Sequence, residues 1–162
     1  MLNMFSFINL LYMLNELWES VFFMVEKKGR VFNPKDLESL VFKWGTQQWV
    51  LGDRFSLGLT VIPPSTAHER HSHPGVEEMF YIISGEMEVI FYYGDKQEMF
   101  YAGPGSYVHI PAGVEHSGGG HSVEPVRFLV IYSPPGPETY QLRNDPECTV
   151  LPPGKLPAYH CK

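Results

Sequence analysis

From Val31 onward the chain alternates between short runs rich in aromatic and β-branched residues and turns rich in Gly and Pro. Runs of this kind are typical of β-strands, because β-branched and aromatic side chains pack well on a pleated surface. The predicted strands are residues 40–44, 48–51, 56–62, 78–83, 86–93, 97–101, 107–110 and 126–132. Many short strands at close spacing predict an all-β sandwich or barrel.

The two ends of the chain differ from this pattern. Residues 1–24 are strongly apolar and contain no Lys or Arg, which does not suit a signal peptide, and three Asn and two Glu interrupt a membrane span. Apolar positions at helical spacing leave two hypotheses open: an amphipathic packing helix, or an extension ahead of a start at Met24. Residues 134–162 are too rich in proline for a central strand and are predicted to form an arm lying over the barrel or a neighbouring subunit.

The composition predicts one globular domain that acts on small molecules. The chain has 162 residues, 44% of them hydrophobic, and a formal charge of −6, so nucleic acids and anionic membranes are unsuitable partners. Cys148 and Cys161 both lie in the C-terminal arm without metal-site spacing. We therefore expect a reducing, cytoplasmic location, with a disulfide in the arm as the less favoured alternative.

Four residues have the chemistry and spacing of one metal site. His71 and His73 are two residues apart, so on a strand they would face the same side. A Pro-Gly turn separates them from Glu78, at the start of the next predicted strand, and His116 follows a second turn of this kind. Three imidazoles and a carboxylate suit one divalent transition metal (Fe, Mn, Ni, Cu or Zn), and on an octahedral ion they would leave two positions open.

These residues resemble the two motifs of the cupin superfamily. The first family motif is Gly, five residues, His-x-His, three or four residues, Glu, six residues, Gly; the second is Gly, five residues, Pro-x-Gly, two residues, His, three residues, Asn. The chain has the matching residues His71, His73, Glu78, Gly85, Gly105, Pro111, Gly113 and His116, but Ser65 stands at the leading Gly and Gly120 at the final Asn. The resemblance covers about residues 43–133, and both departures lie outside the metal ligands.

The resemblance implies a fold and a domain organisation. We expect a double-stranded β-helix, or jelly-roll, cupin barrel of the small single-domain kind. Residues 1–24 would be an apolar N-terminal extension and residues 25–162 a single cupin domain, with a core barrel at about 40–133 and a C-terminal arm at 134–162. The sequence contains no internal repeat of the kind that would indicate a second barrel. Cupins of this size often pair, and the apolar ends favour a homodimer.

Other residues compete with these for a place in the site. Glu77 also lies within the permitted motif spacing, but only Glu78 precedes Gly85 by six residues and shares a strand face with Phe80 and Ile82. Those two side chains are candidates for the wall of an apolar pocket. The remaining histidines are interpreted as surface or hydrogen-bonded residues. They are His68, His109, His121 and His160.

Three functions are compatible with such a site. The favoured hypothesis is a metal-dependent enzyme with dioxygenase-type oxidative chemistry on a small organic molecule. The alternatives are a metal-dependent lyase or isomerase on a sugar-derived or organic acid, and a binding module without catalysis. A lyase or isomerase needs a general acid or base near the metal, for which a pocket tyrosine or His68 is a candidate. The catalytic residues and the substrate are not determined by the sequence.

Overall fold

The structure is a computed structural model that describes residues 29–157 and residue 159. The predictions for residues 1–24, for His160 and for Cys161 therefore lie outside the described residues. The chain divides into two compact units, Met1–Val31 and Phe32–Lys162, and every described strand belongs to the second. None of the helices in the described part of the chain is long and apolar enough to cross a membrane.

Eleven strands among the described residues form two antiparallel sheets. The strands are β1 (Ser39–Val41), β2 (Thr46–Leu51), β3 (Ser56–Ile62), β4 (Ala67–His71), β5 (Glu77–Ser84), β6 (Met87–Tyr93), β7 (Lys96–Ala102), β8 (Tyr107–Ile110), β9 (Glu115–Gly120), β10 (Val126–Ser133) and β11 (Thr149–Leu151). One sheet has the order β11-β1-β2-β3-β10-β5-β8, and the other has the order β4-β9-β6-β7. The predicted all-β jelly-roll architecture of a cupin is confirmed.

Strict alternation on the central strands of the seven-stranded sheet builds the core. On β5 the side chains of Glu78, Phe80 and Ile82 are buried and their neighbours are exposed or half-buried, and β10 alternates in the same way. Because successive side chains on a strand point to opposite faces, one face of this sheet is turned toward the four-stranded sheet. The core between the sheets includes Phe128 and Val130 of β10.

Three observed strands were not predicted, and each has a weak local signal. The β4 segment is mostly polar and β9 ends in three glycines, so neither has the residues that favour an extended backbone by themselves. They are strands because β9 pairs with both β4 and β6. The third is β11, which lies in the proline-rich arm and pairs only with β1, at the edge of the sheet.

The C-terminal arm is fixed to the barrel at several points. Besides the pairing of β11, it contains a single-turn π-helix, Glu138–Leu142, whose Leu142 is buried in the core. Exposed ion pairs join Arg143 to Glu38 and Lys43 to Glu147. This packing agrees with the prediction of an arm over the barrel and brings Gln141 of the π-helix close to the candidate site.

Ser65 and Gly120, the two residues that depart from the cupin motifs, contact each other where the chain passes from one sheet to the other. Ser65, in the connection from β3 to β4, has a φ of 59°, the left-handed region that favours glycine, and its N–H donates to the carbonyl of Gly120 over 3.1 Å. A Cβ on Gly120 would lie 2.6 Å from the carbonyl oxygen of Pro63. Serine thus occupies a backbone conformation suited to glycine, while the asparagine position has no room for a side chain.

Candidate metal centre

Glu78, near the start of β5, supplies the carboxylate of the site. Glu78 is the second residue of this strand and is only 3% exposed, whereas the preceding Glu77 faces outward, 2.6 Å from His109 Nε2. The alternation of β5 decides this difference, since two neighbouring residues of a strand cannot share a face. Glu78, not Glu77, is the carboxylate that the structure places beside the histidines.

The two histidines of the first motif are held by different local structures. His71 is the last residue of β4, and His73 lies beyond the strand, in the turn that follows. Pro74 and Gly75 form the turn, in which proline has no N–H to donate and Gly75 takes a φ of 76°. The expectation that strand alternation aligns both imidazoles therefore applies only up to His71, and the position of His73 is set by the turn.

A hydrogen bond between the turns of the two motifs aligns the remaining histidine. Gly113 takes a φ of 79°, and its N–H donates to the carbonyl of His73 over 3.1 Å. Two residues after this turn β9 begins, and its second residue, His116, pairs in register with His71. Residues far apart in sequence are thereby brought to one point inside the barrel.

The four side chains converge closely enough for one ion. One potential ligand atom from each of His71, His73, Glu78 and His116 lies within 4.8 Å of the others. Glu78 Oε2 lies 3.0 Å from His116 Nε2 and 3.5 Å from His73 Nε2. These three atoms are buried without a hydrogen-bond partner among the described residues. Because buried polar atoms are normally satisfied, their arrangement fits a bound cation.

Each imidazole is oriented by a hydrogen bond on its other nitrogen. His71 Nδ1 lies 2.7 Å from the carbonyl of Glu69, and His116 Nδ1 lies 3.0 Å from that of Val114. His73 Nδ1 lies 2.6 Å from Gln141 Oε1. Since these oxygens can only accept, each Nδ1–H donates, and the Nε2 lone pair of each ring is left for a metal.

Burial keeps two of the imidazoles in the form that binds metals. It lowers the pKa of His71 to about 4, with nearby His116 acting in the same direction. It also lowers the pKa of His73 to about 4, although the hydrogen bond to Gln141 opposes this. Both rings are therefore neutral at neutral pH, as a metal ligand must be.

The carboxylate has the opposite influence on its two closest partners. Burial acts to lower the pKa of His116, but the neighbouring carboxylate of Glu78, 3.0 Å from Nε2, outweighs it, so the pKa is raised. Tyr132 lies opposite Glu78 in the β10–β5 ladder, so its hydroxyl is also under the influence of that carboxylate. Burial and then the charge of Glu78 raise the pKa of Tyr132 well above its ordinary value, so the hydroxyl keeps its proton.

The site opens on a small cavity inside the barrel. The space in which the centre of a water-sized molecule fits is about 30 Å³, roughly the room for two waters. Its lining consists of seven apolar and seven polar residues. These are Trp44, Ile62, Phe80, Met87, Gly118, Phe128 and Val130, with Gln47, Thr60, His68, His71, Glu78, His116 and Tyr132. The predicted wall residue Phe80 is among them, whereas Ile82 is buried in the core without lining the cavity.

An outer groove meets this cavity at three shared residues. The groove, about 510 Å³, runs along β4 beside the C-terminal arm, and Trp44, His68 and His71 line both spaces. The His68 ring stacks between the other two, 4.1 Å from Trp44 and 4.0 Å from His71. Burial lowers the pKa of His68 to about 2, so its ring is neutral. The groove and the cavity therefore meet at these three rings.

The other histidines lie away from the centre or outside the described residues. His109 is exposed and paired with Glu77, and His121 is half-exposed beside Glu86 and Tyr101. The surface interpretation holds for these two. His68 lines the cavity and, as expected of the remaining histidines, does not belong to the group of four potential ligands.

Sequence reasoning did not identify Gln141, Gln47, Thr60 or Trp44 as part of the site. Gln141 lies in the arm, far along the chain from the motifs, and no spacing rule links it to His73. Gln47 and Thr60 are polar residues on buried strand faces, which is the one sequence signal that marks them. Recognising it requires knowing which face of each strand is inside.

The fold and the site together define a double-sheet β-barrel with a group of three histidines and one glutamate that can hold a divalent transition metal. Residues 58–132, from β3 to β10, match the family model of the cupin domain. Residues 58–132 therefore form a cupin domain, in agreement with the two motifs. No curated protein matches the sequence.

Solved structures with this fold include bacterial oxalate decarboxylases. The formate complex of the Lactobacillus farciminis enzyme has a TM-score of 0.60 and 24% identity, over 69% of this chain and 38% of that one. The Bacillus subtilis enzyme, in a study of its Mn(II) centres, has a TM-score of 0.58 and 21% identity, over 66% and 32%. The same enzyme at pH 4.6 has 0.54 and 22%, over 57% and 26%. The chain thus spans about a quarter to two fifths of these enzymes, and the likeness concerns the fold alone.

Proposed function

We propose that His71, His73, Glu78 and His116 are the ligands of one divalent transition metal, in an enzyme that acts on a short organic acid by lyase-type chemistry. The observation that carries this proposal is the set of buried polar atoms without partners, facing a cavity that also contains proton-bearing side chains. Buried polar groups of this kind are costly to the fold. Their retention at one point is explained by a ligand that satisfies them.

The chain's own residues divide the work in this proposal. A bound metal would supply Lewis-acid polarisation of a substrate oxygen. Hydrogen bonds on the Nδ1 atoms fix the imidazoles, and the apolar wall limits water in the cavity. Tyr132 keeps its hydroxyl proton beside Glu78. His68 has a neutral imidazole where the outer groove meets the cavity. A lyase or isomerase therefore has general acid or base candidates beside its metal.

Size and neighbours support a short acid as substrate. The cavity has room for a molecule of only a few non-hydrogen atoms, which excludes large aromatic substrates from its interior. The solved structures similar to this chain are oxalate decarboxylases, and one of them is a complex with formate. Transferred to this chain as a proposal, those names favour the breaking of a carbon–carbon bond in a short carboxylate.

Dioxygenase-type chemistry is the second candidate. The observation in its favour is the large apolar share of the wall, including Phe80, Met87 and Phe128, which suits the exclusion of water during oxygen chemistry. The ligand set accepts redox-active Fe, Mn, Ni and Cu as readily as Zn. Stoichiometric uptake of dioxygen separates the two candidates.

The test begins with elemental analysis of the full chain purified without added metal. Samples loaded with single metals are then incubated with oxalate and other short acids, while acid consumption, carbon dioxide and dissolved oxygen are followed together. We expect acid consumption without equal uptake of oxygen, and none in a His116→Ala control. Uptake of one O₂ per acid consumed without release of hydrogen peroxide would establish the dioxygenase instead. Binding of acids without turnover by any metal form would identify a binding module.

We also propose a homodimer in the cytoplasm. The outer face of β5 and β8 exposes Met79, Ile83 and Tyr107 at 45%, 45% and 80%, an apolar surface that a second copy would cover. Light scattering on the full chain should give twice the monomer mass, and Tyr107→Lys should shift it toward the monomer. A stable monomer at all concentrations would contradict this proposal.

A further inference from the structure

Thr60 carries a buried hydroxyl that the fold leaves unsatisfied. Its side chain is fully buried on β3, and its Oγ1 has no hydrogen-bond partner among the described residues. The residue lines the cavity. A buried hydroxyl without a partner lowers stability relative to valine of the same shape, so its place on the cavity wall points to a bound molecule.

Gln47 stands beside it with a complementary group. The two residues are register partners in the β2–β3 ladder, and Gln47 is 4% exposed and lines the same cavity. Trp49 Nε1 donates to Gln47 Oε1 over 3.2 Å. Because this bond occupies the amide oxygen, the NH₂ group is what Gln47 offers to a ligand. The pair presents hydrogen-bond donors, and the Thr60 hydroxyl can also accept.

This pair lies apart from the metal ligands along the sheet. Thr60 pairs with Phe128 of β10, and Glu78 pairs with Tyr132 of the same strand, four residues further on. The cavity is therefore polar in two places, with an apolar stretch that includes Phe80 and Val130 between them. A molecule that satisfies both places carries oxygen at two separated positions.

The charges of the lining decide what the second oxygen is. Among the described residues that line the cavity there is no Lys or Arg, so only the metal end can neutralise an anionic group. A second carboxylate beside Gln47 and Thr60 would be desolvated without a cation, which is strongly unfavourable. A hydroxyl, carbonyl or amide would be satisfied there at no such cost.

We propose that Gln47 and Thr60 form a subsite for a neutral oxygen, so that the cavity selects a short acid bearing a hydroxyl, carbonyl or amide at the end remote from its carboxylate. This inference rests on the proposed function, because it takes the carboxylate to lie at the metal end. It narrows the substrate class to one that differs from a dicarboxylate such as oxalate.

Calorimetric binding to the Mn(II)-loaded full chain tests the subsite without requiring turnover. The probes are two matched sets of the shortest acids: glycolate, acetate and oxalate; 3-hydroxypropionate, propionate and malonate. We expect the hydroxy acid of the fitting length to bind about fivefold more tightly than the plain acid, the value of one net hydrogen bond. The matching dicarboxylate should bind no better than the plain acid.

Variants of Thr60 assign that preference to its hydroxyl. Thr60→Val should remove the preference, and Thr60→Ser, which keeps the hydroxyl, should retain it. Ser56→Ala is the matched control, since Ser56 is equally buried with an unpartnered hydroxyl but does not line the cavity. Metal content and the melting temperature of the metal-free protein, which Thr60→Val should not lower, show that each variant is folded.

The outcomes separate this inference from the proposed function. Equal binding of hydroxy and plain acids by the wild-type protein, or a preference that survives in Thr60→Val, overturns the subsite alone. A dicarboxylate that binds more tightly than its hydroxy acid also overturns it. If the loaded protein binds no acid of any set, the proposed function fails and the subsite fails with it.

Discussion

The two sheets of the barrel contribute to the site in different ways. The seven-stranded sheet supplies Glu78, Tyr132, Gln47 and Thr60 from ladders that are in register at these residues, because the one register shift of the β10–β5 ladder lies away from the metal site, between Arg127 and Phe128. The four-stranded sheet supplies imidazoles from strands whose pairing is interrupted, with a register shift between His68 and His71. A regular ladder positions a side chain by itself. The imidazoles instead depend on turns and on hydrogen bonds from outside the ladder.

The largest expected effect is the loss of an imidazole itself. His116→Ala removes the only ligand from β9, and we expect metal affinity to fall by more than about 100-fold, beyond the loss typical of an outer partner. Elemental analysis after dialysis measures it. His109→Ala is the control, because that ring is exposed and paired with Glu77. Full metal retention by His116→Ala would contradict the ligand assignment.

The second largest effect on metal affinity is expected from loss of the hydrogen bond between His73 and Gln141, because the imidazoles depend on contacts outside the ladder. Gln141→Leu leaves the His73 ring without its Nδ1 acceptor, and we expect metal affinity to fall by about 10- to 100-fold. Metal competition with a chelator measures this change. Asn144→Ala, an exposed change just after the same π-helix, should leave metal affinity as it was. Equal affinities for all three proteins would show that the turn alone orients His73.

The crossing between the sheets offers a test of stability. Gly120→Asn restores the residue of the family motif, but its Cβ would meet the Pro63 carbonyl oxygen at 2.6 Å. The backbone must shift, so we expect a loss of about 1–3 kcal/mol in the free energy of unfolding, measured by urea denaturation. Gly103→Asn, whose added Cβ would meet nothing within 4 Å and whose φ is not positive, isolates the steric effect. Equal free energies of unfolding for Gly120→Asn and wild type would mean that the backbone at this crossing shifts at little cost.

The smallest expected effect is a gain at the other departure from the motif. The left-handed backbone of Ser65 destabilises the folded state, because a Cβ is disfavoured there. Ser65→Gly removes this cost but adds entropy to the unfolded chain, so we expect the free energy of unfolding to rise by about 0.5–1 kcal/mol. The same urea experiment measures it. Ser106→Gly, at a serine without positive φ, should instead destabilise. A loss of stability in Ser65→Gly would show that the serine side chain makes a compensating contact.

Local patterning predicted the seven-stranded sheet better than the four-stranded one. Six predicted strands overlap β1, β2, β3, β5, β8 and β10, because their apolar residues alternate or cluster as a half-buried strand requires. In the four-stranded sheet β6 and β7 were predicted, whereas β4 and β9 were not, since a polar segment and a glycine run become strands only by pairing. Even so, the motif turns were visible in the sequence through Pro and Gly.

The sequence by itself determined the residue types and spacing of His71, His73, Glu78 and His116 and the all-β class, because these depend on local periodicity and turn chemistry. Only the tertiary structure decided that Gln141 supports His73 and that Thr60 and Gln47 share a cavity wall with Glu78. It also decided that Ser65 and Gly120 touch. Such contacts join segments distant in the chain, and no periodicity within one segment encodes which of them will meet.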